Sequence, residues 1–184
     1  MKNTRKGFTL VELLAVIVIL AIIMIIAIPA VLSTMQTAKQ KTFVEYVTKV
    51  YTAAQNKYME QKATGATLPA VSDPTNQIKK GSQAYVCYDY NITNDLGLTS
   101  TGEYKGHVVI CETNSASTAG VEILVQLADK EFYTFAATDA GYLWNYTSAN
   151  APKAEDIKLG NKASDTATAP TIAQINAALA QTRA

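Results

Sequence analysis

The chain has 184 residues, 48% of them hydrophobic, with 16 basic against 15 acidic side chains. That balance argues against a dedicated nucleic-acid binder, which carries a strong positive surplus, and the length allows one globular domain beside a membrane span. A single histidine and the lack of Cys-x-x-Cys, His-x-x-x-His, Gly-x-Ser-x-Gly and phosphate-cradling glycine motifs exclude the common catalytic constellations, so no enzyme, cofactor or metal site is expected.

Three cations, Lys2, Arg5 and Lys6, precede Gly7-Phe8, and an apolar run then extends from Leu13 to Leu32. About 20 apolar residues cross the hydrocarbon core at 1.5 Å per residue, and the cations mark the N-terminal side as cytoplasmic. Glu12 sits at the edge of this run, where an acid costs roughly 2.5–3.5 kcal/mol on the lenient insertion scale. Cleavage between Gly7 and Phe8 creates an ammonium one helical turn from Glu12. An amine paired with that carboxylate, within a chain or between neighbours, offsets the cost. A secretory signal has a shorter apolar core and a small-x-small exit. A plain anchor leaves Glu12 and Gly7-Phe8 as coincidences, and a buried core helix needs no basic leader.

The basic leader, the Gly-Phe junction, the glutamate four residues after Phe8, the unbroken apolar run and Pro29 together resemble the N-terminus of type IV pilins and pseudopilins, from Lys6 to Ala38. The resemblance implies that a prepilin peptidase cuts after Gly7 and methylates the Phe8 amine. It makes Glu12 the assembly residue and the apolar helix the core of a helical homopolymer built by a pilus assembly platform. It places the precursor in the cytoplasmic membrane as a single-pass protein, N-terminus inside, and the product in an extracellular pilus. One departure is Ala21, where many members have a glycine that loosens the helix before the proline.

From Ser33 to Lys62 the text stays helical, rich in Ala, Gln, Lys and Glu. Phe43, Val47, Val50, Tyr51, Ala54 and Tyr58 share one face, and Lys39, Lys41, Glu45, Lys49, Gln55 and Lys57 the other. The spacing therefore predicts a helix from Phe8 to Lys62, stopped at Gly65. Residues 64–83 read as a loop. Strands are expected at Ala84–Tyr90, Gly106–Cys111, Val121–Leu127, Glu131–Ala136 and Tyr142–Tyr146, the third and fourth forming a hairpin. Residues 148–169 read as exposed and poorly ordered, and Thr171–Thr182 as a short C-terminal helix. The expected architecture is α+β: a long N-terminal helix on a small antiparallel sheet, with a short C-terminal helix. The division is a leader at 1–7, a transmembrane and fibre-core half-helix at 8–32, a globular domain at 33–146 and a loosely ordered tail at 147–184.

Cys87 and Cys111 lie past the span, on the side where disulfides persist. A bridge is favoured over two buried thiols. Many relatives carry a disulfide near the C-terminus instead, so this mid-chain pair inherits no family role. His107 reads as a surface residue, and Asp73, Asp89, Asp95 and Glu103 as solvated carboxylates without EF-hand spacing. Asn91 and Asn145 match the glycosylation acceptor pattern and are discounted, because the resemblance implies a bacterium. Lys79-Lys80 and the helix lysines read as solvated rather than as a DNA surface. The resemblance implies a structural fibre subunit with adhesive outer loops. A pseudopilin of a type II-like secretion system and a competence pilin in DNA uptake are the alternatives.

Overall fold

The computed structural model describes residues 9–73, 77–98, 104–113, 120–134, 142–146, 151–153, 156–160, 162 and 165–181. The chain divides into two compact units, Met1–Lys39 and Gln40–Ala184. Helix α1 (Leu10–Thr64) supplies the described part of the first after Thr9 and opens the second.

In the first unit every described residue is exposed, including the large apolar side chains from Leu10 to Met35. Among the described residues α1 is the helix long and apolar enough to cross a membrane, by length and composition. Pro29 lies inside it and has no backbone N–H to give the Ile25 carbonyl. Thr34 and Thr37 turn their hydroxyls back onto the helix, donating to Ala30 O at 2.9 Å and Ser33 O at 3.0 Å. Side-chain donors bonded within the helix suit surroundings that offer no water.

In the second unit, Phe43, Val47, Val50, Ala54 and Tyr58 form the buried stripe of α1, the face that the helical spacing predicts. Tyr51, half-buried, stacks on Tyr146 with ring centroids 4.0 Å apart. The helix ends at Gly65, whose φ of 69° suits the residue without a Cβ, and Ala66 N donates to Gln61 O at 3.0 Å across the turn.

The sheet comprises β1 (Lys79–Lys80), β2 (Gln83–Asn91), β3 (Lys105–Thr113), β4 (Val121–Ala128), β5 (Phe132–Thr134), β6 (Trp144–Tyr146) and β7 (Ile157–Leu159). All pairings are antiparallel, in the order β1-β2-β3-β4-β5-β7, and β6 also pairs with β4. One edge of β4 is thus shared: Ala128 meets Tyr133 of β5, and Ile123–Val125 meet β6. The period-2 alternation divides the strands between two cores. Tyr88, Tyr90, Val108, Ile110 and Val125 pack with the α1 stripe. Cys87, Val109, Cys111 and Leu124 pack with Ile175, Ala178 and Leu179 of α2 (Ile172–Leu179) on the other face. The fold is α+β, with a helix on each side of the sheet.

Near the start of β3, Gly106 lies opposite Leu127. A Cβ there would collide with the Gln126 carbonyl oxygen and stand 3.0 Å from Leu127 Cα. Backbone atoms cannot move aside, so glycine is required for close approach rather than for an unusual φ.

Two stretches differ from expectation. The segment 64–83 is more than a loop: it contains β1, and residues 69–71 run beside β2, with Val71 N donating to Cys87 O and Asp89 N to Pro69 O. The segment 148–169, expected to be exposed, includes β7, which extends the sheet from β5, and Thr166, which is fully buried. Few apolar residues suffice there because Ile157 fills the α1-side core and Thr166 Oγ1 donates to Lys105 O at 3.1 Å. The C-terminal helix docks on the sheet and starts with a capping box, Thr171 with Gln174. Residues 135–136 of the expected fourth strand lie outside the described residues.

Candidate assembly site

The first turn of α1 carries the chemistry. Thr9 precedes the helix, and its backbone N–H and hydroxyl donate to Glu12 Oε2 at 2.9 and 2.8 Å. Glu12 N in turn faces Thr9 Oγ1 at 3.3 Å. This is a capping box, in which a threonine and a glutamate three residues on satisfy each other's backbone donors. The carboxylate also lies at the positive end of the helix dipole. Glu12 therefore enters the apolar stretch with two local donors on one oxygen, while Oε1 accepts no hydrogen bond among the described residues. That oxygen is open to an ammonium. Gly7 and Phe8, the expected cleavage and methylation positions, lie outside the described residues. Thr9 is not singled out in the sequence, although Ser/Thr-x-x-Glu ahead of an apolar run is the spacing that marks it.

In the second unit Cys87 and Cys111 face each other across β2 and β3 and form a disulfide, both nearly fully buried. On the α1 side, Glu112 gathers Tyr58 OH at 2.7 Å, Tyr88 OH at 2.5 Å and Lys62 Nζ at 2.8 Å. Burial opposes its charge, but Lys62 and the two hydroxyls outweigh that and hold the carboxyl below its usual range. Burial and the same carboxylate push the Tyr88 hydroxyl up to about 12, which keeps it a donor at neutral pH. On the α2 side, Glu122 accepts from Lys80 Nζ at 2.8 Å, Tyr85 OH at 3.0 Å and Asn145 Nδ2 at 2.7 Å. Lys80 is thus engaged in an ion pair.

The other candidate residues are placed as follows. Asp73 caps Gln77 N and Ile78 N, and Asp95 accepts from Asn91 N at 2.7 Å. Asp89 lies in β2 and pairs with His107, which is 5% exposed and so not the surface residue expected. A diagonal carboxylate on the neighbouring strand makes that burial tolerable. Asn145 is buried, and Asn91 Oδ1 accepts from Thr93 N and Asn94 N at 3.0 Å. Glu103 lies outside the described residues. Asn176 of α2, not singled out in the sequence, accepts from Lys79 N and donates to Gln77 O, both at 2.9 Å, which pins the helix to the β1 edge.

The family described as the prokaryotic N-terminal methylation motif matches residues 2–28. Comparisons with curated proteins and with solved structures find no match.

Proposed function

We propose that this chain, whose N-terminal segment is that of a type IV pilin-like prepilin, is the structural subunit of a type IV pilus-like surface fibre. The prepilin peptidase removes residues 1–7 and methylates Phe8, and the assembly platform then adds the subunit to a helical homopolymer. One observation carries the reading: an apolar first half of α1, exposed throughout from Leu10 to Met35, that begins with a carboxylate at its edge and starts within a methylation motif. In a bilayer that carboxylate is a cost. In a fibre, the free oxygen of Glu12 meets the amine of a neighbouring Phe8 and the apolar stripes bury one another. We assign the chain no catalytic activity.

The secretion pseudopilin and the competence pilin share this processing and this helix. The ion pair of Lys80 with Glu122 supports the structural subunit over the DNA binder, since it removes one of the two adjacent lysines from a phosphate-binding role. The test is electron microscopy of sheared surface material together with the N-terminal residue and mass of the protein in it. Long fibres made of a chain starting at methylated Phe8 are expected. A chain starting at Met1, or its retention in the membrane with no fibre, contradicts the proposal.

A further inference from the structure

Glu122 holds two groups that can react with each other. Lys80 Nζ, from β1, donates to its Oε1 at 2.8 Å, and Asn145 Nδ2, from β6, donates to its Oε2 at 2.7 Å. An amine becomes a nucleophile once it gives up a proton, and a carboxamide is an acyl group whose leaving group is ammonia. A carboxylate that touches both can carry protons from one to the other.

The surroundings hold all three in place. Glu122 stands opposite Cys111 and Asn145 opposite Leu124, two members of the core that α2 covers. Asn145 is 7% exposed. Tyr85 OH donates to the same Oε1 as Lys80, at 3.0 Å, and so orients the carboxylate. Both outer strands are tied at the C-terminal helix. Asn176 accepts from Lys79 N at 2.9 Å, beside the amine, and Gln181 Nε2 donates to Leu143 O at 3.2 Å, two residues before the amide. Groups held in this way react at effective molarities of about 10⁵–10⁸ M. That compensates for the low reactivity of a carboxamide in a reaction each molecule completes only once. The four-carbon stem of Lys80 lets Nζ swing from Oε1 toward the Asn145 amide. Its side chain is 36% exposed, against 19% for Glu122, so the leaving group has a route to solvent.

We propose that Lys80 and Asn145 join in an intramolecular amide bond, with Glu122 as the proton relay. The Lys80 ammonium passes a proton to Glu122 Oε1, and the freed lone pair of Nζ attacks Asn145 Cγ. The Cγ–Nδ2 bond then breaks. Nδ2 leaves as an ammonium ion, carrying a second proton shed by Nζ and the one stored on Glu122. Nζ keeps one hydrogen, Glu122 returns to a carboxylate, and the charge lost from Lys80 departs on the ammonium, with no oxidant or reductant involved. The bond straps β1 to β6 over the α2-side face of β2, β3 and β4.

The test uses the full-length chain in detergent, reduced to open the Cys87–Cys111 bridge. Trypsin cuts after Lys and Arg, so an unlinked chain yields separate fragments 81–105 and 131–153. The linked chain should yield one branched peptide joining 80–105 to 131–153. Its mass should be one ammonia, about 17 Da, below the sum of the two. Lys80→Arg keeps the cation and removes the nucleophilic amine, whereas Glu122→Gln keeps the shape and removes the relay. Both should give linear peptides at full mass. If Glu122→Gln does not fold, Glu122→Asp replaces it, because its shorter arm does not reach both partners. Linear fragments from the wild type overturn the bond, as does an ammonia loss confined to 131–153 or one that survives Lys80→Arg. A branch that persists in folded Glu122→Gln or Glu122→Asp overturns the relay.

Discussion

From Leu10 to Met35 the large apolar side chains of α1 are exposed, whereas from Phe43 onward the same helix buries a stripe so tightly that Val47, Val50 and Ala54 have no accessible surface. The two halves share a helix type and differ in what satisfies them. The first half is apolar nearly all round and buries no face among the described residues. The second is apolar on one face and has the sheet. The polar devices differ in part. In the first half they are local, between Thr9 and Glu12 or a threonine and the turn before it. The second half keeps such local bonds, as Thr48 on Val44 O, and adds long-range ones, as with Lys62 and Tyr58 on Glu112. A damaged first half should therefore spoil assembly and spare folding, and a damaged second half should do the reverse.

The largest expected effect is Glu12→Gln. It should nearly abolish sheared fibre while mature subunit accumulates in the membrane, because removing the charge favours the lipid state by roughly 2.5–3.5 kcal/mol. Thermal unfolding of the second unit should not change. Normal fibre yield would remove Glu12 from assembly, and a shifted unfolding transition would break the division between the halves.

Phe43→Ala tests the opposite half. Phe43 is 1% exposed and meets the Tyr104 and Phe132 rings at 5.9 Å. Truncation should cost about 3–5 kcal/mol of unfolding free energy in denaturant titration, with membrane insertion and processing intact.

Replacing both Cys87 and Cys111 with Ser opens a loop whose ends are 24 residues apart. The loss on the chain-entropy account is about 3.5 kcal/mol, measurable by the same titration, with insertion and processing again unaffected.

Glu112→Gln gives the smallest effect, about 1.5–3 kcal/mol from hydrogen bonds to a charged group. It carries a pH signature. Because the folded carboxyl lies below its usual range, its contribution is complete above the ordinary value of 4.5 and is lost as pH falls through the folded value. The variant and wild type should converge in stability at acid pH. A constant gap would mean that charge has no part in the cluster.

The parts of this fold that were legible in the sequence are those whose signal is periodic and local. The α1 stripe follows a 3.6-residue repeat, β4 alternates from Val121 to Leu127, and α2 shows its apolar face at Ile172, Ile175 and Leu179. The parts that were not legible depend on pairing across the chain. Lys79 finds Asn176 across 97 residues. Ile157–Leu159 is too short to show a period and becomes a strand only because β5 offers an edge. His107 looks like an exposed strand residue until the β2–β3 register sets Asp89 diagonally beside it. At the candidate assembly site Glu12 is legible from its cost, whereas Thr9 was missed although its spacing to Glu12 follows a rule that needs no tertiary information.

Gly106 constrains how this protein can diverge. Any mutation of its codon that adds even a methyl group drives an atom into the backbone of β4 at Gln126, and no change of rotamer elsewhere makes room. Lineages descending from this chain must keep that glycine or first slide β3 against β4. A one-residue slide reverses the facing of the whole strand, separating Cys111 from Cys87 and Glu112 from α1 in one step. Ancestry should therefore be easier to trace at this small residue than across the exposed surfaces, which can change one position at a time.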